Sequence, residues 1–417
     1  MLLFSRMPVD LSCHYKSAIY HLAASILKMD KSYVSSCPCC SFKSNIFLPQ
    51  SFTAPKEINK DQSDEIEQPQ QTPFKALDQI LQYKDSSLIL VDTHGHPHLN
   101  GSPQPEYQYH NYNNGAENEF HVLSLTCAVD EVDWIQTLDY AAKSTLILPA
   151  LGVHPWYIHN LVDDLWIDRL EALLLEHPRA LVGEIGLCKM AKNLRTAGDK
   201  EYALKRQRDS FKGQFELAAR LRRPVTVHCV KQHGILLEIL QEIKHSTLES
   251  FSSSSLNEEE RKKANEALQL AFPPSIGMHS FTGTANQVKQ IIEFEQSLSL
   301  KPQNTQSRDK QKIKKHDNSN QNKHPLFYFG FSHTINVLMC SSAKSKRQGQ
   351  DAIRAVPLER LLSESDVHSP QDVAFGTAEA VANIAQALDK PLIDVLKITA
   401  ANGLQFLSSV HNQESAN

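Results

Sequence analysis

The sequence has no apolar run long enough to cross a membrane and no large excess of charge of one sign. A membrane-spanning helix needs about 18 or more consecutive apolar residues, so none is expected. The formal net charge of −4 and the pI near 6.5 give the chain as a whole no attraction for nucleic acid or for a membrane surface. A nucleic-acid partner would therefore have to be bound by a local patch.

The cysteines also lack a pattern, because the eight of them do not follow the regular spacing of a disulfide framework. Cys127, Cys188, Cys229 and Cys340 fall in or beside apolar segments, as the reduced thiols of an intracellular protein do. We therefore expect a reducing compartment, the cytoplasm, the nucleus or both. The Cys-Pro-Cys-Cys run at 37–40 has no second pair of ligands at finger spacing, which favours a loop over a structural zinc site.

At 417 residues the chain has room for one large domain with extensions. Residues 1–85 do not resemble the start of that domain. An acidic, Gln-rich segment from Glu57 to Gln71 is typical of a linker, and a helix is expected from about Pro73 to Tyr83. We interpret residues 1–85 as a largely irregular N-terminal extension and linker, followed by one domain over residues 86–410.

From Leu88 onward, short apolar runs alternate with longer amphipathic stretches. The runs expected to form strands are Leu88 to Asp92, His121 to Val129, Thr145 to Gly152, Ala180 to Leu187, Pro224 to Cys229, Ser275 to His279, Leu326 to Phe331 and Arg360 to Ser365. The stretches expected to form helices are Val132 to Ala142, Asp164 to Glu176, Glu201 to Leu221, Ile235 to Lys244, Ala285 to Gln296, Gly376 to Leu388 and Pro391 to Leu407.

This alternation predicts an α/β protein with a (β/α)8 barrel of the TIM type, in which the active site lies at the carboxyl ends of the strands. The runner-up architecture, an open doubly wound sheet, would carry a Gly-rich phosphate turn after the first strand. No such turn is present in the sequence.

Three insertions interrupt this alternation of strand and helix patterns, near residues 100–118, 246–263 and 300–324. The first is rich in Tyr, Asn and Gly and either lines the site or forms a surface loop. The third carries seven basic and two acidic residues, and its composition favours a disordered, solvated loop, with auxiliary phosphate contact as the alternative. We expect the insertions to be disordered.

Polar residues suited to chemistry follow most of the expected strands. They are His94 and His96 at the first, His154 at the third, Glu184 at the fourth, His228 at the fifth, His279 at the sixth, and Glu364 and Asp366 at the eighth. Imidazole nitrogens and carboxylate oxygens are the ligands of Zn, Mn and Mg sites. Two ions about 3.5 to 4 Å apart activate a water and stabilise the attacking and leaving oxygens of a phosphodiester, so the pattern indicates hydrolysis.

Six motifs in this order resemble the TatD family of metal-dependent deoxyribonucleases. They are Asp-Thr-His-Gly-His from 92, Gly-Val-His-Pro from 152, Gly-Glu-Ile-Gly-Leu from 183, Val-His from 227, His-Ser-Phe-Thr-Gly from 279 and Glu-Ser-Asp from 364. The resemblance covers residues 88 to 408. It implies two divalent ions (Mg, Mn or Zn), with one set of ligands consisting of His94, His96, Glu184 and Asp366, and the other of Glu184, His228 and His279.

The same resemblance implies that His154 lies near the substrate phosphate and acts in catalysis with Glu184 and Asp366, while Glu364 supports Asp366. Two further residues have less specific roles. Trp156 could stack on a base or simply pack in its loop, and His333 at the seventh strand end could contact substrate or be merely polar.

The chain departs from the family at the mouth of the expected barrel. The family usually has Asp at the position of Cys188, often has Ser-Arg-Asp where Cys229-Val230-Lys231 stands, and commonly has Asp soon after the first His-x-His, where Pro97-His98 stands. These differences leave the ligand positions intact. They affect the phosphate contacts and the substrate preference, and the two cysteines are interpreted as small apolar fillers.

We therefore expect an intracellular, metal-dependent hydrolase, a TatD-type deoxyribonuclease that cleaves the phosphodiester bonds of DNA. Two alternatives stay open. The same ion pair would also serve an amide or ester hydrolase. The barrel could instead be a scaffold that binds a protein partner through its insertions and altered mouth.

Overall fold

The computed structural model describes residues 75–81, 88–100, 108–111, 118–251, 256–300 and 324–408. Its strands are β1 Ile89–Gly95, β2 Gln108–Asn111, β3 Asn118–Cys127, β4 Ile147–Leu151, β5 Leu181–Cys188, β6 Val225–Val230, β7 Ile276–Met278, β8 Phe327–Ser332 and β9 Leu361–Glu364. Its helices are α1 Lys75–Leu81, α2 Trp134–Ala141, α3 Trp166–Glu176, α4 Lys192–Thr196, α5 Lys200–Arg220, α6 His233–Glu249, α7 Glu258–Leu270, α8 Ala285–Gln296, α9 Ala343–Ala355, α10 Val373–Leu388 and α11 Leu392–Ser408.

The sheet follows the order β1-β3-β4-β5-β6-β7-β8-β9, and every neighbouring pair along this path is parallel. Helices alternate with these eight strands, as the apolar rhythm of the sequence predicts. The expected (β/α)8 barrel is therefore confirmed, with all eight expected strands present at shifted ends. The strands are short and almost fully buried, which suits their β-branched and aromatic side chains.

The barrel closes between β1 and β9 through polar contacts at a seam. The Ser363 hydroxyl donates to the Val91 carbonyl oxygen at 3.1 Å, and the Ser365 backbone N–H donates to the Asp92 carboxylate at 2.8 Å. Beyond the strand ends, the Asp366 N–H donates to the His94 carbonyl oxygen at 3.0 Å. Closure thus joins the first and the last strand beside the residues expected to bind metal.

Helix α11 covers the outside of this seam. A Cβ placed on Gly403 would lie 2.6 Å from Cγ1 of Val91, so only glycine lets this helix approach β1 so closely. In the last turn of α11, the Phe406 carbonyl oxygen accepts a hydrogen bond from Ser275 just before β7. The C-terminal helix is therefore part of the barrel's own packing.

The expected disordered insertions are partly wrong. Residues 108–111 form β2, which pairs antiparallel with β3, so the first insertion contains a strand. The second insertion, 246–263, contains the end of α6 and the start of α7, which begins with a capping box between Asn257 and Glu260. Most of the third insertion (301–323), the Cys-Pro-Cys-Cys run and the linker lie outside the described residues.

None of the helices in the described ranges combines the length and the apolar character that a membrane crossing requires.

The expected helix near residues 73–83 is confirmed over Lys75–Leu81, and it lies against α10, where Glu379 accepts a hydrogen bond from the Ala76 N–H at 3.3 Å. Helix α9 was not predicted from the sequence.

Candidate metal centre

The carboxyl ends of the strands bring together seven ligand-type side chains. His94 lies in β1, Glu184 in β5 and His228 in β6. His96 and His279 directly follow β1 and β7, while His154 and Asp366 come three and two residues after the ends of β4 and β9. All but His228 are buried, and His94 has no exposed surface at all. Strand geometry explains this placement, because parallel strands end at one rim and alternate residues point into the barrel.

Glu184 lies at the centre of the cluster and presents a different oxygen to each side. Its Oε2 lies 3.4 Å from Nε2 of His94 and 3.2 Å from Nε2 of His96. Its Oε1 lies 3.3 Å from Nε2 of His154, 2.9 Å from Nδ1 of His228 and 2.8 Å from Nε2 of His279. One carboxylate thus separates two sets of imidazoles, as a ligand shared by two ions would do.

Hydrogen bonds behind the rings orient the histidines of β1. His96 donates from Nδ1 to the Cys127 carbonyl oxygen at 2.7 Å, which leaves its Nε2 facing Glu184. Nδ1 of His94 lies 2.8 Å from the Thr226 hydroxyl. Metal-binding histidines are usually held in this way through their second nitrogen, because the bond fixes both the tautomer and the ring direction.

Among the residues that the structure describes, three groups of ligand atoms are compact enough to hold an ion, each with all its atoms within 4.8 Å of one another. They are His94, His96 and Glu184; His94, His279 and Asp366; and His154, Glu184 and His228. The nitrogens also crowd together, with 3.2 Å between Nε2 of His94 and Nε2 of His96, and between Nδ1 of His228 and Nε2 of His279. A buried set of imidazoles and carboxylates around such short contacts fits divalent cations.

The charges in the cluster depend on one another. Burial opposes charge on Glu184, but the nearby histidines, His154 and His279 foremost, hold its pKa well below the usual value. Burial also lowers the pKa of His96, yet the hydrogen bond and the negative charge of Glu184 outweigh it and raise that pKa to about 9. His228 behaves similarly: contacts with Cys188 and Glu184 overcome burial and raise its pKa to about 10.

Two other histidines are neutral at physiological pH. Burial, with the neighbouring His279, lowers the pKa of His94 to about 3. Burial also lowers the pKa of His154 to about 4. These two imidazoles can therefore accept a metal or donate one hydrogen bond without first losing a charge.

A shell of carboxylates supports the cluster from behind. The Ser280 hydroxyl donates to Oδ2 of Asp366 at 2.8 Å, and the Ser280 N–H donates to Oε2 of Glu364 at 2.7 Å. Glu364 thus reaches Asp366 through Ser280, while burial raises its pKa well above the usual value. A Cβ on Gly330 would overlap the Glu364 carboxylate, so this acid has space only because residue 330 is glycine.

Asp92 and Thr226 are site residues to which the sequence assigned no role. The Asp92 carboxylate accepts the Ser365 N–H and hydroxyl and the His94 N–H, at 2.8, 2.5 and 3.3 Å, and burial raises its pKa to about 7. Its place at the end of a buried strand in Asp-Thr-His-Gly-His was the available signal. No local signal existed for Thr226, because its partner His94 lies on a distant strand.

The remaining residues discussed in the sequence analysis differ in their exposure and in their contact with the cluster. Trp156 is 46% exposed at the mouth, and its indole N–H donates to Sγ of Cys188 at 3.2 Å. His333 is buried, packs its ring against Phe375 and belongs to none of the three ligand groups. Cys188 and Cys229 are buried, as expected for small fillers, but Cys188 also contacts His228. His279 groups with His94 and Asp366 as well as facing His228.

The affinity of the metal-free protein for a divalent ion is expected to depend on pH. With no ion bound, His96 and His228 are protonated at pH 7, so uptake of a divalent ion must displace about two protons per chain. We expect metal affinity to rise between pH 7 and 9. Calorimetric titrations in two buffers of different ionisation enthalpy measure the release directly, and a titration without proton release would contradict this assignment of charges.

The free energy of unfolding of the metal-free protein should fall as the pH rises, whereas its affinity for metal should rise. The pKa values of both histidines are raised above the ordinary 6.5, so their stabilising contribution is complete below about pH 6.5 and is lost as the pH rises through 9 to 10. Urea unfolding of the chelated protein at pH 7 and pH 9.5 tests the sign.

Comparison with known proteins gives a family and several relatives. A family model described as TatD related DNase matches residues 91–318. The Cut9-interacting protein scn1 of Schizosaccharomyces pombe is 22% identical over 373 residues, covering 76% of this chain and 98% of that protein. The family match includes His94, His96, His154, Glu184, His228 and His279.

Three similar solved structures have low sequence identity to this chain. YjjV, a TatD homolog from Escherichia coli K12, is 18% identical with a TM-score of 0.44, covering 67% of this chain and 83% of its own. A TatD-family hydrolase from Entamoeba histolytica is 13% identical with a TM-score of 0.44, covering 68% and 83%. An uncharacterized amidohydrolase from Saccharomyces cerevisiae is 13% identical with a TM-score of 0.47, covering 76% and 99%.

Proposed function

Because the chain belongs to the family of TatD-related DNases and has a hydrolase barrel, we propose that it is a metal-dependent deoxyribonuclease. Its substrate is DNA, and the bond it hydrolyses is a phosphodiester. Two divalent ions, Mg, Mn or Zn, are its cofactors. The four cysteines of the described residues are free, which supports a reducing compartment, the cytoplasm or the nucleus.

One observation carries this proposal: Glu184 presents one carboxylate oxygen to His94 and His96 and the other to His154, His228 and His279. A shared carboxylate between two sets of neutral or deprotonatable imidazoles is what two adjacent ions require. Such a pair supplies an activated water and stabilises the negative charge that develops on the phosphodiester oxygens.

The chain's own residues supply the rest of the chemistry. Asp366 accepts a hydrogen bond from Ser280, and electrostatic interaction with the neighbouring histidines outweighs burial and lowers its pKa. As an ionised carboxylate at the rim, it is placed to take the proton of the attacking water. Nδ1 of the neutral His154 accepts the Trp156 N–H at 3.2 Å, so the ring N–H is on Nε2, beside Oε1 of Glu184 at 3.3 Å, and would be the donor to a non-bridging phosphate oxygen once ions hold Glu184.

Cleavage assays with a panel of substrates test the proposal. We expect single-stranded DNA to be cut in Mg²⁺ or Mn²⁺ and left intact in excess chelator, with little turnover of small amides or carboxylic esters. Hydrolysis of the amides or esters alone would replace the nuclease proposal with the amide or ester hydrolase. Metal analysis of the purified protein should give two ions per chain.

A second candidate function is favoured by the similarity to scn1, which is named for its interaction with Cut9. In that case the barrel serves as a scaffold that binds a protein partner. A protein that binds a partner with unchanged affinity after Glu184→Ala, and holds no metal as purified, would support the scaffold. Two bound ions and DNA cleavage would support the enzyme.

A further inference from the structure

We propose that a groove on the outside of the barrel binds the part of a single nucleic-acid strand that lies beyond the cleaved bond. The groove has a volume of 770 Å³ and lies between α4, α5 and α6. Its cationic lining includes Lys189, Arg195 and Lys200, and its apolar lining includes Leu194 and Leu204. This inference rests on the proposed nuclease function, which it extends from the metal cluster to the substrate's path.

The groove begins at the mouth of the barrel. Lys189 directly follows the last residue of β5, the strand that carries Glu184, and its N–H donates to the Val230 carbonyl oxygen at 3.0 Å. Gln232, another lining residue, comes two residues after the end of β6. Lys189 is five positions after Glu184, or about 16 Å along the strand, so a substrate must extend beyond the cleaved bond to reach the groove.

The charge of the groove is positive where it meets the mouth. Lys189, Arg195 and Lys200 are exposed, and within the described part of the chain none has a carboxylate oxygen within 4.0 Å. Glu201 is the one acid of the lining that likewise lacks such an ion pair. Three unneutralised cations against one anion make this part of the groove attractive to a polyanion.

The other cations of the groove are already neutralised. Lys205 pairs with Asp209 at 2.6 Å, Arg208 with Glu238 at 3.4 Å and with Glu242 at 3.1 Å, and Lys212 with Glu216 at 3.9 Å. These pairs lie further along α5 and α6. The free positive charge is therefore confined to the end of the groove nearest the active site.

Apolar surface lies between these charges. Leu204 is 37% exposed within the groove, and the exposed indole of Trp156 lies at the mouth, where its N–H contacts Cys188 just before Lys189. Cations beside apolar and aromatic surface suit a strand with unpaired bases, because phosphates contact the former and base faces the latter. A duplex keeps its base faces stacked inside.

The neighbouring part of the mouth, where the chain leaves β3 and β4, does not offer this chemistry. The segments after β3 and β4 carry Asp130, Glu131, Asp163 and Asp164, and Arg169 is occupied by Glu131 and Asp163 at 2.5 and 3.1 Å. Negative charge there repels a phosphate backbone. The acidic residues after β3 and β4 and the free cations of the groove together favour a path for the bound strand toward Lys189.

The test compares the double variant Arg195→Gln/Lys200→Gln with the wild type on two substrates. On an oligonucleotide of about 20 nucleotides at 0.1 M salt, we expect kcat/KM to fall about 20-fold, mainly through KM, with the salt slope reduced by about 1.4. On bis(4-nitrophenyl) phosphate, which is too short to reach the groove, kcat/KM should be unchanged. The control variant Lys143→Gln/Lys390→Gln removes the same charge at the other end of the barrel and should match the wild type.

Binding of an uncleavable phosphorothioate oligonucleotide, followed by fluorescence anisotropy, separates this inference from the nuclease proposal. Wild type that binds the strand but cleaves neither substrate overturns the proposed function. Equal affinity of the groove variant and the wild type overturns the groove, as does equal loss in the control variant. Tighter binding of a duplex, or of polyglutamate, overturns the assignment to a single nucleic-acid strand.

Discussion

Replacing Glu184 with alanine is expected to abolish both metal uptake and phosphodiester turnover. One carboxylate faces five imidazoles, so its loss removes a ligand from both sets and leaves their charges unbalanced. Loss of a residue that merely supports a ligand already costs about 10- to 100-fold in affinity or activity. For a ligand shared by both ions, we expect kcat to fall by at least about 10³-fold.

Metal analysis and the DNA cleavage assay measure the two effects in parallel. The matched control is Glu176→Ala, which removes an exposed carboxylate at the end of α3 and should leave both unchanged. Circular dichroism establishes that the variant is folded. Undiminished cleavage by a folded Glu184→Ala protein would be incompatible with the proposed centre.

Gly186→Ala should have the largest effect on stability. Gly186 lies in β5 opposite His228 of β6, and a Cβ there would lie 2.0 Å from the His228 carbonyl oxygen and 2.8 Å from the His228 Cβ. The strands would have to separate, since the nearest atom belongs to backbone. Forcing extra atoms into a packed interior costs about 1 to 3 kcal/mol and occasionally more, and we expect at least about 3 kcal/mol here.

The displacement would also move His228 away from Glu184, so metal content should fall with stability. Urea unfolding and metal analysis of the same preparation measure both. The control is Gly213→Ala in the middle of α5, where the nearest atom would be Cδ1 of Ile167 at 4.0 Å. That substitution should stabilise the protein by about 0.5 to 1 kcal/mol. Similar stability of the two variants would refute the steric argument.

The sequence predicts the barrel well because each strand is a short apolar run that stops at a polar residue. This local signal locates β1 through His94 and β5 through Glu184 without knowledge of any partner. Helix α9 carried no such signal, since only Ala352 and Ile353 are buried in it and no apolar stripe repeats along its length. Helix α7 was not predicted either, because it begins just after a serine-rich run that is typical of a loop.

The chemistry of the site was predictable in its ligands and not in its arrangement. The sequence alone does not determine that the two oxygens of Glu184 face different histidines, because the direction of a carboxylate depends on atoms from four other strands. Nor does it show that His94 is held by Thr226, which lies 132 residues away. Contacts between distant strands exist only once the barrel has closed.

That closure has a consequence for how the protein is made. His94 belongs to the first strand, Asp366 follows the last, and the two are joined by the bond from the Asp366 N–H to the His94 carbonyl oxygen. During synthesis on the ribosome the first histidines emerge long before their partner. A nascent or prematurely terminated chain that ends before Leu361 has neither the final ligand nor the partner of Asp92. Products of translation that end before Leu361 therefore lack the complete candidate metal centre.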